Sequence, residues 1–461
     1  MNKFLQHLRT CLAVFACRTS RVFLRLLGRG GTHLPGKIAL RIYPELLARL
    51  AKGVHVTVVT GTNGKTTSTR MLEAILQQAD FSHFSNRTGA NLHTGITAAF
   101  IEHAGLFGKP KKTHALIECD EAEFARIAPQ LGANIILITN IFRDQLDRYG
   151  SLNHTVEAIR RGVEASPDVT VCYNADCAFC GKILHGLPNK TVPFGINALV
   201  ENQDKQTVVE TTHCPKCDHT LMRHSHTYGH LGDWACSSCG TKRPKLHVGV
   251  ENILAQLPEM TKFRVEIGEN IQDFTLPMPG LYSVYNAAGA IGVASSLQIS
   301  LETVASAFAA FDGGFGRMER FRLGNTDACM ILVKNPIGLS QTLRYLTTLD
   351  KPFALAFLLN DHAGDGRDIS WIWDAEMHHF HALKPHLTTL LCGGIRGTDA
   401  AVWGKYAGID PERIITQSDD GKLLQLLADS PVPVYILPTY SAMIGLRGIL
   451  SKAYGLKRFW K

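Results

Sequence analysis

Residues 54–78 read VHVTVVT, GTNGKTT, STRMLEAILQQ, so a β-branched apolar run, a glycine-bearing turn and a helix-forming stretch follow one another directly. That order is the context in which a phosphate-binding loop is credible. Gly61 and Gly64 permit tight backbone turns. The N–H groups of the loop, from Gly61 through Thr62, Asn63 and Gly64 to Thr67, can point at phosphate oxygens. Lys65 can reach the β- and γ-phosphates of a nucleotide, and the Thr66 hydroxyl can ligate Mg²⁺. The strict signature G-x-x-x-x-G-K-[ST] wants glycine where this chain has Val59. The bland alternative is a glycine turn before a helix, with an incidental lysine.

Around this unit the chain alternates. HALIECD, NIILITN and VTVCYN read as buried strands, separated by helical patterns such as HTVEAIRRGVEA. Such alternation argues for an α/β domain with a largely parallel sheet. Residues of about 205–245 interrupt it with a polar stretch rich in Cys and His. GGFGRMERF at 313–321 reads as a boundary, after which ACMILVKN, FALAFLLND, TTLLCGG and VPVYILPT describe a second α/β domain. With 461 residues the chain has room for roughly two to four domains. The expected division is an N-terminal basic amphipathic segment over 1–45, an ATP-binding domain over 46–312 and an α/β domain over 313–461.

The interruption carries Cys214-x-x-Cys217 and Cys236-x-x-Cys239. Two C-x-x-C turns presenting four thiolates fit a closed, structural Zn²⁺ site, a zinc ribbon. A redox pair or unrelated thiols are the alternatives. His213, His224, His226 and His230 lie nearby and read as surface residues, because the quartet is already complete. The other eight cysteines are scattered, a usage that suits a reducing cytosol rather than a disulfide scaffold.

The net charge of +8 favours an anionic substrate or a membrane surface and is too diffuse to argue for nucleic acid. No apolar run is long enough to span a bilayer. The N-terminal NKFLQHLRTCLAVFACRTSRVFLRLLGRGG mixes leucine, valine and phenylalanine with arginine. It reads either as a helix packed on the protein or as a basic amphipathic helix at the membrane surface. In the second domain, LLNDHAGDGRDISWIWDAE ends an apolar strand and gathers Asp361, Asp365, Asp368 and Asp374 in a loop with Trp371 and Trp373.

The loop spelling T-G-T-N-G-K-T resembles that of the Mur ligase and folylpolyglutamate synthetase superfamily, whose members phosphorylate a carboxylate with ATP and let an amine attack the acyl phosphate. The resemblance implies further residues in order along the chain. Glu118, at the end of ALIECDE, matches a Mg²⁺ ligand. TNIFRDQLDRYG at 139–150 is similar to the family's T-N-x-x-x-D-H-L-D-x-x-G, and YNADC at 173–177 to its N-A-D-D. Asn286 and Arg317 match residues that contact ATP. Two departures put a second Mg²⁺ in doubt: Gln145 stands where the family has a histidine ligand, and no lysine occurs from Thr113 to Gly181. The expected fold is a Mur-ligase-like P-loop ATPase domain with an inserted four-cysteine zinc ribbon, followed by a Rossmann-like α/β C-terminal domain. The usual UDP-binding domain of the superfamily has no counterpart ahead of the loop.

Within the superfamily, VKNPIG (333–338), N-D-x-x-x-D-G-x-D-x-S-W-I-W-D (360–374), LPTYSAM (437–443) and the N-terminal RTSRVFLRLLGRGGTHLPGKIALRI resemble the MurT family. That resemblance implies ATP-dependent amidation of the D-glutamate α-carboxylate of the lipid II stem peptide. Ammonia would come from a GatD-like glutaminase partner in a heterodimer. Asp368 would complete the partner's Cys–His pair as a triad, orienting the imidazole. It also implies a cytoplasmic location, at the inner face of the membrane if the N-terminal helix lies there. A stand-alone amino-acid ligase acting without a partner is the first alternative. A nucleotide-switched protein whose ribbon grips nucleic acid is the second, and Lys216, Arg223, Lys242 and Arg243 are few basic residues for it.

Overall fold

A computed structural model describes residues 3–26, 33–86, 90–143, 152–198, 213–313 and 316–455. Gln145 and the second half of TNIFRDQLDRYG lie outside the described residues, as does the start of the insertion. The first sheet is built from β1 (His55–Thr60), β2 (His83–Ser85), β3 (His114–Glu118), β4 (Ile135–Ile138), β5 (Thr170–Asn174), β6 (Thr191–Ile196), β9 (Val248–Gln256), β10 (Thr261–Ile267) and β11 (Asn270–Leu276). Its order is β11-β10-β9-β6-β5-β4-β1-β3-β2. From β2 to β9 every pairing is parallel, while β10 and β11 add an antiparallel edge. Strands β1, β3 and β4 are buried along almost their whole length, which is why they read as continuous apolar runs instead of alternating ones.

The second sheet takes β12 (Arg317–Leu323), β13 (Thr326–Ile331), β14 (Phe353–Leu358), β15 (Leu387–Gly393), β16 (Ile414–Thr416) and β17 (Val434–Pro438) in the order β12-β13-β17-β14-β15-β16. Only β12 pairs antiparallel among these described strands. Apolar clusters cover both faces, one around Phe357, Phe380 and Trp403 and the other around Met330, Ile436 and Leu446. The chain changes sheets between the helix Leu301–Ala309 and Arg317.

The N-terminus is helical: α1 (Lys3–Leu26), α2 (His33–Ile42) and α3 (Leu46–Ala51). Ala13, Val14 and Cys17 of α1 join the same core as the first sheet. At the C-terminal end of α5 (His93–Glu102), Arg18 donates to the carbonyls of Ile101 and Ala104, at 3.1 and 2.6 Å. Arg21 pairs with Glu102 at 2.6 Å. One face of α1 is therefore packed on the body. Among the described residues no helix is long and apolar enough to cross a membrane.

The insertion contains a two-stranded ribbon, β7 (Met222–Arg223) against β8 (Trp234–Ala235). It leaves the sheet after β6 and returns at β9, the neighbouring strand. Its return is fastened by Arg243, which donates to the buried carboxylate of Asp176 at 2.7 Å. Asp176 also accepts from Tyr285 Oη at 2.6 Å and from the Ile196 N–H at 2.9 Å. The expectation that all four nearby histidines are surface residues is corrected for His230. It is 1% exposed, with Nε2 at 3.3 Å from Cys177 Sγ and its ring against Phe142 and Phe179. The Tyr228–Leu231 turn folds back into the core, which the metal-site spacing gave no reason to expect.

Candidate active site

The phosphate loop leaves the C-terminal end of β1, between β3 and β4, and enters α4 (Lys65–Gln78). Gly61 and Gly64 both have positive φ, 118° and 85°. A side chain at Gly61 would strike Thr139 Oγ1 and the Asn140 carbonyl, and one at Gly64 would strike Asn286 Oδ1. Glycine is thus required twice over, by backbone conformation and by contact. The Thr139–Asn140 pair at the end of β4 braces the loop from beneath. Thr62 N–H donates to the Asn140 carbonyl at 2.8 Å, and Asn63 N–H to Asn140 Oδ1 at 3.0 Å. The Thr62 hydroxyl accepts from Phe142 N–H at 3.0 Å and donates to the Phe142 carbonyl at 3.2 Å.

Lys65 is 7% exposed. Its ammonium donates to the Gly61 and Thr62 carbonyls and, at 2.8 Å, to Glu121 Oε2. Burial alone would push its pKa down, but the Glu121, Asp120 and Glu118 carboxylates outweigh it and hold the ammonium charged well above the ordinary lysine range. All three acids come from the ECDE run where β3 ends and α6 (Glu121–Leu131) begins. Asp120 caps α6, accepting from Ala122 N–H at 3.1 Å. The backbone of Glu118 is clamped by Asn86 through two hydrogen bonds of 2.8 and 2.7 Å, and Glu118 sits level with Val59 of β1. Glu118 and the Thr66 hydroxyl offer the hard oxygen donors that suit Mg²⁺.

The second domain closes over this loop. Asn63, Gly64, Asn286, Arg317 and Lys334 line one cleft between the two sheets, together with Tyr228 of the insertion. Asn335 caps the helix Pro336–Leu346, accepting from Gly338 N–H at 2.8 Å. It also donates to Asn63 Oδ1 at 2.8 Å, so one side chain joins the second domain to the phosphate loop. Burial lowers Arg317 below the ordinary guanidinium value, and the Glu118 carboxylate opposes that shift. The structure therefore brings together the loop, Glu118, Asn286 and Arg317. Sequence reasoning missed Glu121, Asn140, Asn335 and Tyr228. The first three stand inside motifs already singled out, while nothing local marks Tyr228.

Away from the cleft, the sulfurs of Cys214, Cys217, Cys236 and Cys239 lie within 4.8 Å of one another. The closest pairs are Cys214–Cys239 at 3.4 Å and Cys217–Cys236 at 3.5 Å. A tetrahedral zinc with bonds of about 2.3 Å sets its thiolates roughly 3.8 Å apart, so the donor set fits that ion. The acidic loop of the second domain comes apart into separate roles. Asp361 pairs with Arg396 at 2.8 Å, and Asp374 with Arg143 at 3.6 Å. Asp365 is buried and accepts from Ser441 N–H at 2.7 Å. Asp368 is exposed. Ser370 N–H donates to its Oδ1 at 2.8 Å, and the Ser370 hydroxyl and backbone together hold the carboxyl below the ordinary aspartate value.

A phosphate loop at a sheet switch point, an acid at the next strand's end and a second α/β domain closing from above define a two-domain nucleotide-binding enzyme. The Mur ligase middle domain model matches residues 59–230, and the MurT ligase C-terminal model matches 332–443. The chain is 34% identical over 449 residues to the lipid II isoglutaminyl synthase (glutamine-hydrolyzing) subunit MurT of Streptococcus pneumoniae, covering 96% of this chain and 98% of that protein. Its identity to the same subunit of Staphylococcus aureus (strain COL) is 28%, over 97% and 99% of the two chains. The chain belongs to the MurT family of ligases. In fold it is similar to a pseudomurein peptide ligase type C from Methanothermus fervidus, with a TM-score of 0.68 at 20% identity, over 89% of this chain and 81% of that one.

Proposed function

We propose that this chain amidates the D-glutamate α-carboxylate of the lipid II stem peptide, in the cytoplasm, as the synthetase half of a heterodimer with a GatD-like glutaminase. The observation that carries the reading is the meeting of Asn63, Gly64, Asn286 and Arg317 along one cleft between two domains, with the Glu118 carboxylate acting on both Lys65 and Arg317. ATP binds there through the N–H groups of Gly61, Thr62, Asn63 and Gly64 and through Lys65, Thr66 and Thr67, with Asn286 and Arg317 closing on it. The Thr66 hydroxyl and the Glu118 carboxylate would hold Mg²⁺, which would supply positive charge against the phosphates. Lys65 and Arg317 hold the γ-phosphoryl group where a substrate carboxylate oxygen attacks it, the bond to the bridging oxygen breaks and ADP leaves. The acyl phosphate then meets ammonia, the amide C–N bond forms and phosphate leaves. No second metal site of the usual superfamily kind is proposed, since Gln145 stands at the histidine position and no lysine occurs from Thr113 to Gly181. Zn²⁺ on Cys214, Cys217, Cys236 and Cys239 is structural. The ribbon needs no nucleic acid to explain it, because Arg223 and Arg243 hold protein groups.

Asp368 serves the partner. Its carboxylate stands exposed on a capped turn, preset as an anion, which is what an imidazole in a facing subunit requires to be oriented and stabilised. The test is mass spectrometry of the stem peptide after incubation with lipid II, ATP, Mg²⁺, glutamine and the glutaminase. The expected product carries amide in place of carboxylate. Asp368→Asn is expected to lose the glutamine reaction and keep the ammonium reaction. Loss of both would assign Asp368 to the synthetase step or to the fold. ATP turnover with a free amino acid, and no change in lipid II, would replace this reading by a stand-alone ligase.

A further inference from the structure

The helix α1 is packed the wrong way round for one that serves only the protein interior. Its inward face is small: Thr10, Ala13, Val14 and Cys17 are at most 2% exposed. Its outward face is large. Leu5, Leu8, Leu12, Phe15, Val22, Phe23 and Leu26 are exposed by 41, 47, 51, 61, 56, 62 and 81%. At about 100° per residue these two sets fall on opposite sides of the helix. Burial drives large apolar side chains inward, so a continuous row of them facing out marks a surface that something else covers.

The spacing of Leu5, Leu8, Leu12, Phe15, Val22 and Leu26 also suits the seam of a helical pair, and charge decides between the two occupants. The first 44 residues hold eight of the chain's 48 Lys and Arg and none of its 40 Asp and Glu. The remainder therefore balances at forty of each, and the whole net charge of +8 belongs to this segment. A second copy of α1 would set cation against cation, whereas an anionic lipid surface complements it. A neighbouring loop repeats the composition. Leu106 and Phe107 are 53 and 72% exposed, Gly108 sits against Thr10 of α1, and Lys109, Lys111 and Lys112 follow.

We propose that α1 and the Leu106–Phe107 tip seat the enzyme on an anionic phospholipid surface, the apolar side chains at the acyl boundary and Lys109, Lys111 and Lys112 among the headgroups. The surface goes beyond the amidation reading and does not depend on it. The test is co-sedimentation of the full chain with vesicles of phosphatidylglycerol and phosphatidylcholine, and with phosphatidylcholine alone, alongside light scattering of the free protein. A Leu12→Ser, Phe15→Ser, Phe23→Ser variant changes exposed positions only, and an unchanged melting temperature confirms its fold. Wild type is expected to bind the anionic vesicles, with affinity falling at least about tenfold in the variant and on neutral vesicles. Equal binding by wild type and variant, or no binding to anionic vesicles, would overturn the proposal. So would a wild-type dimer that the variant splits, which would give the face to a second copy. Amidation is read on detergent-dispersed substrate without vesicles, so failure here leaves that reading standing.

Discussion

At the scale of single residues, the site is a buried cation held by three carboxylates. Replacing Lys65 by Met removes the ammonium that Glu118, Asp120 and Glu121 hold charged in the buried site. ATP-dependent turnover is expected to fall on the order of 10²–10³-fold, as when one preorganised charge-stabilising donor is lost. An ATP-consumption assay reads it directly. Thr62→Val tests the brace beneath the loop. It strips Phe142 N–H of its buried acceptor, and the cost in denaturant unfolding is expected to be about 1–3 kcal/mol. Lys65, Glu118 and Arg317 were legible because each sits in a local spelling, at a loop or a strand terminus. Glu121 and Asn335 were not, because their partners lie 56 and 272 positions away in sequence. Only the parallel register of β1 with β3, and the closure of one sheet over the other, bring them to the loop.

At the scale of elements, the strand-and-helix alternation was readable because buried parallel strands are apolar from end to end. The antiparallel edge β9–β11 was not singled out, since β9 runs from buried to half-exposed and its pattern changes along its length. The cysteine quartet announced itself through spacing alone. The depth of its insertion did not, because Tyr228 and His230 are placed by ring contacts with Phe142 and not by any motif. A consequence follows for metal removal. Cys236→Ser, or a strong chelator, is expected to release one zinc per chain and to loosen the Tyr228 wall of the cleft. The KM for ATP is expected to rise while phosphate-loop chemistry survives. Atomic emission and steady-state kinetics on the same sample check the pair of outcomes. An unchanged KM would confine the ribbon to a role remote from the cleft.

At the scale of the whole molecule, the two sheets meet around the phosphate loop, and Asn335 is the side chain that touches both its own helix cap and Asn63. Asn335→Ala is expected to weaken closure over the nucleotide. The loss is expected in KM for ATP by roughly tenfold, consistent with about 1.4 kcal/mol for a hydrogen bond and its cap. Calorimetric titration of a non-hydrolysable ATP analogue measures it. The fold as a pair of α/β units was legible from alternation on either side of GGFGRMERF at 313–321. The closure itself was not, since a side chain's double hydrogen bonding leaves no periodic trace.

The neighbouring positions of β6 and β9 bear on how the chain reaches this state. Residues 197–247 must be looped out before those two strands can pair, and loop closure has an entropic cost that grows with free length. When four thiolates clasp 214–239 around an ion, the free chain is shortened by roughly half, a gain of about 0.6 kcal/mol. Metal capture during synthesis would therefore act as a clip that hurries the edge of the first sheet into place. Refolding in the absence of zinc should be slower in the step that joins β9–β11 to the rest, even where the final enzyme tolerates the loss.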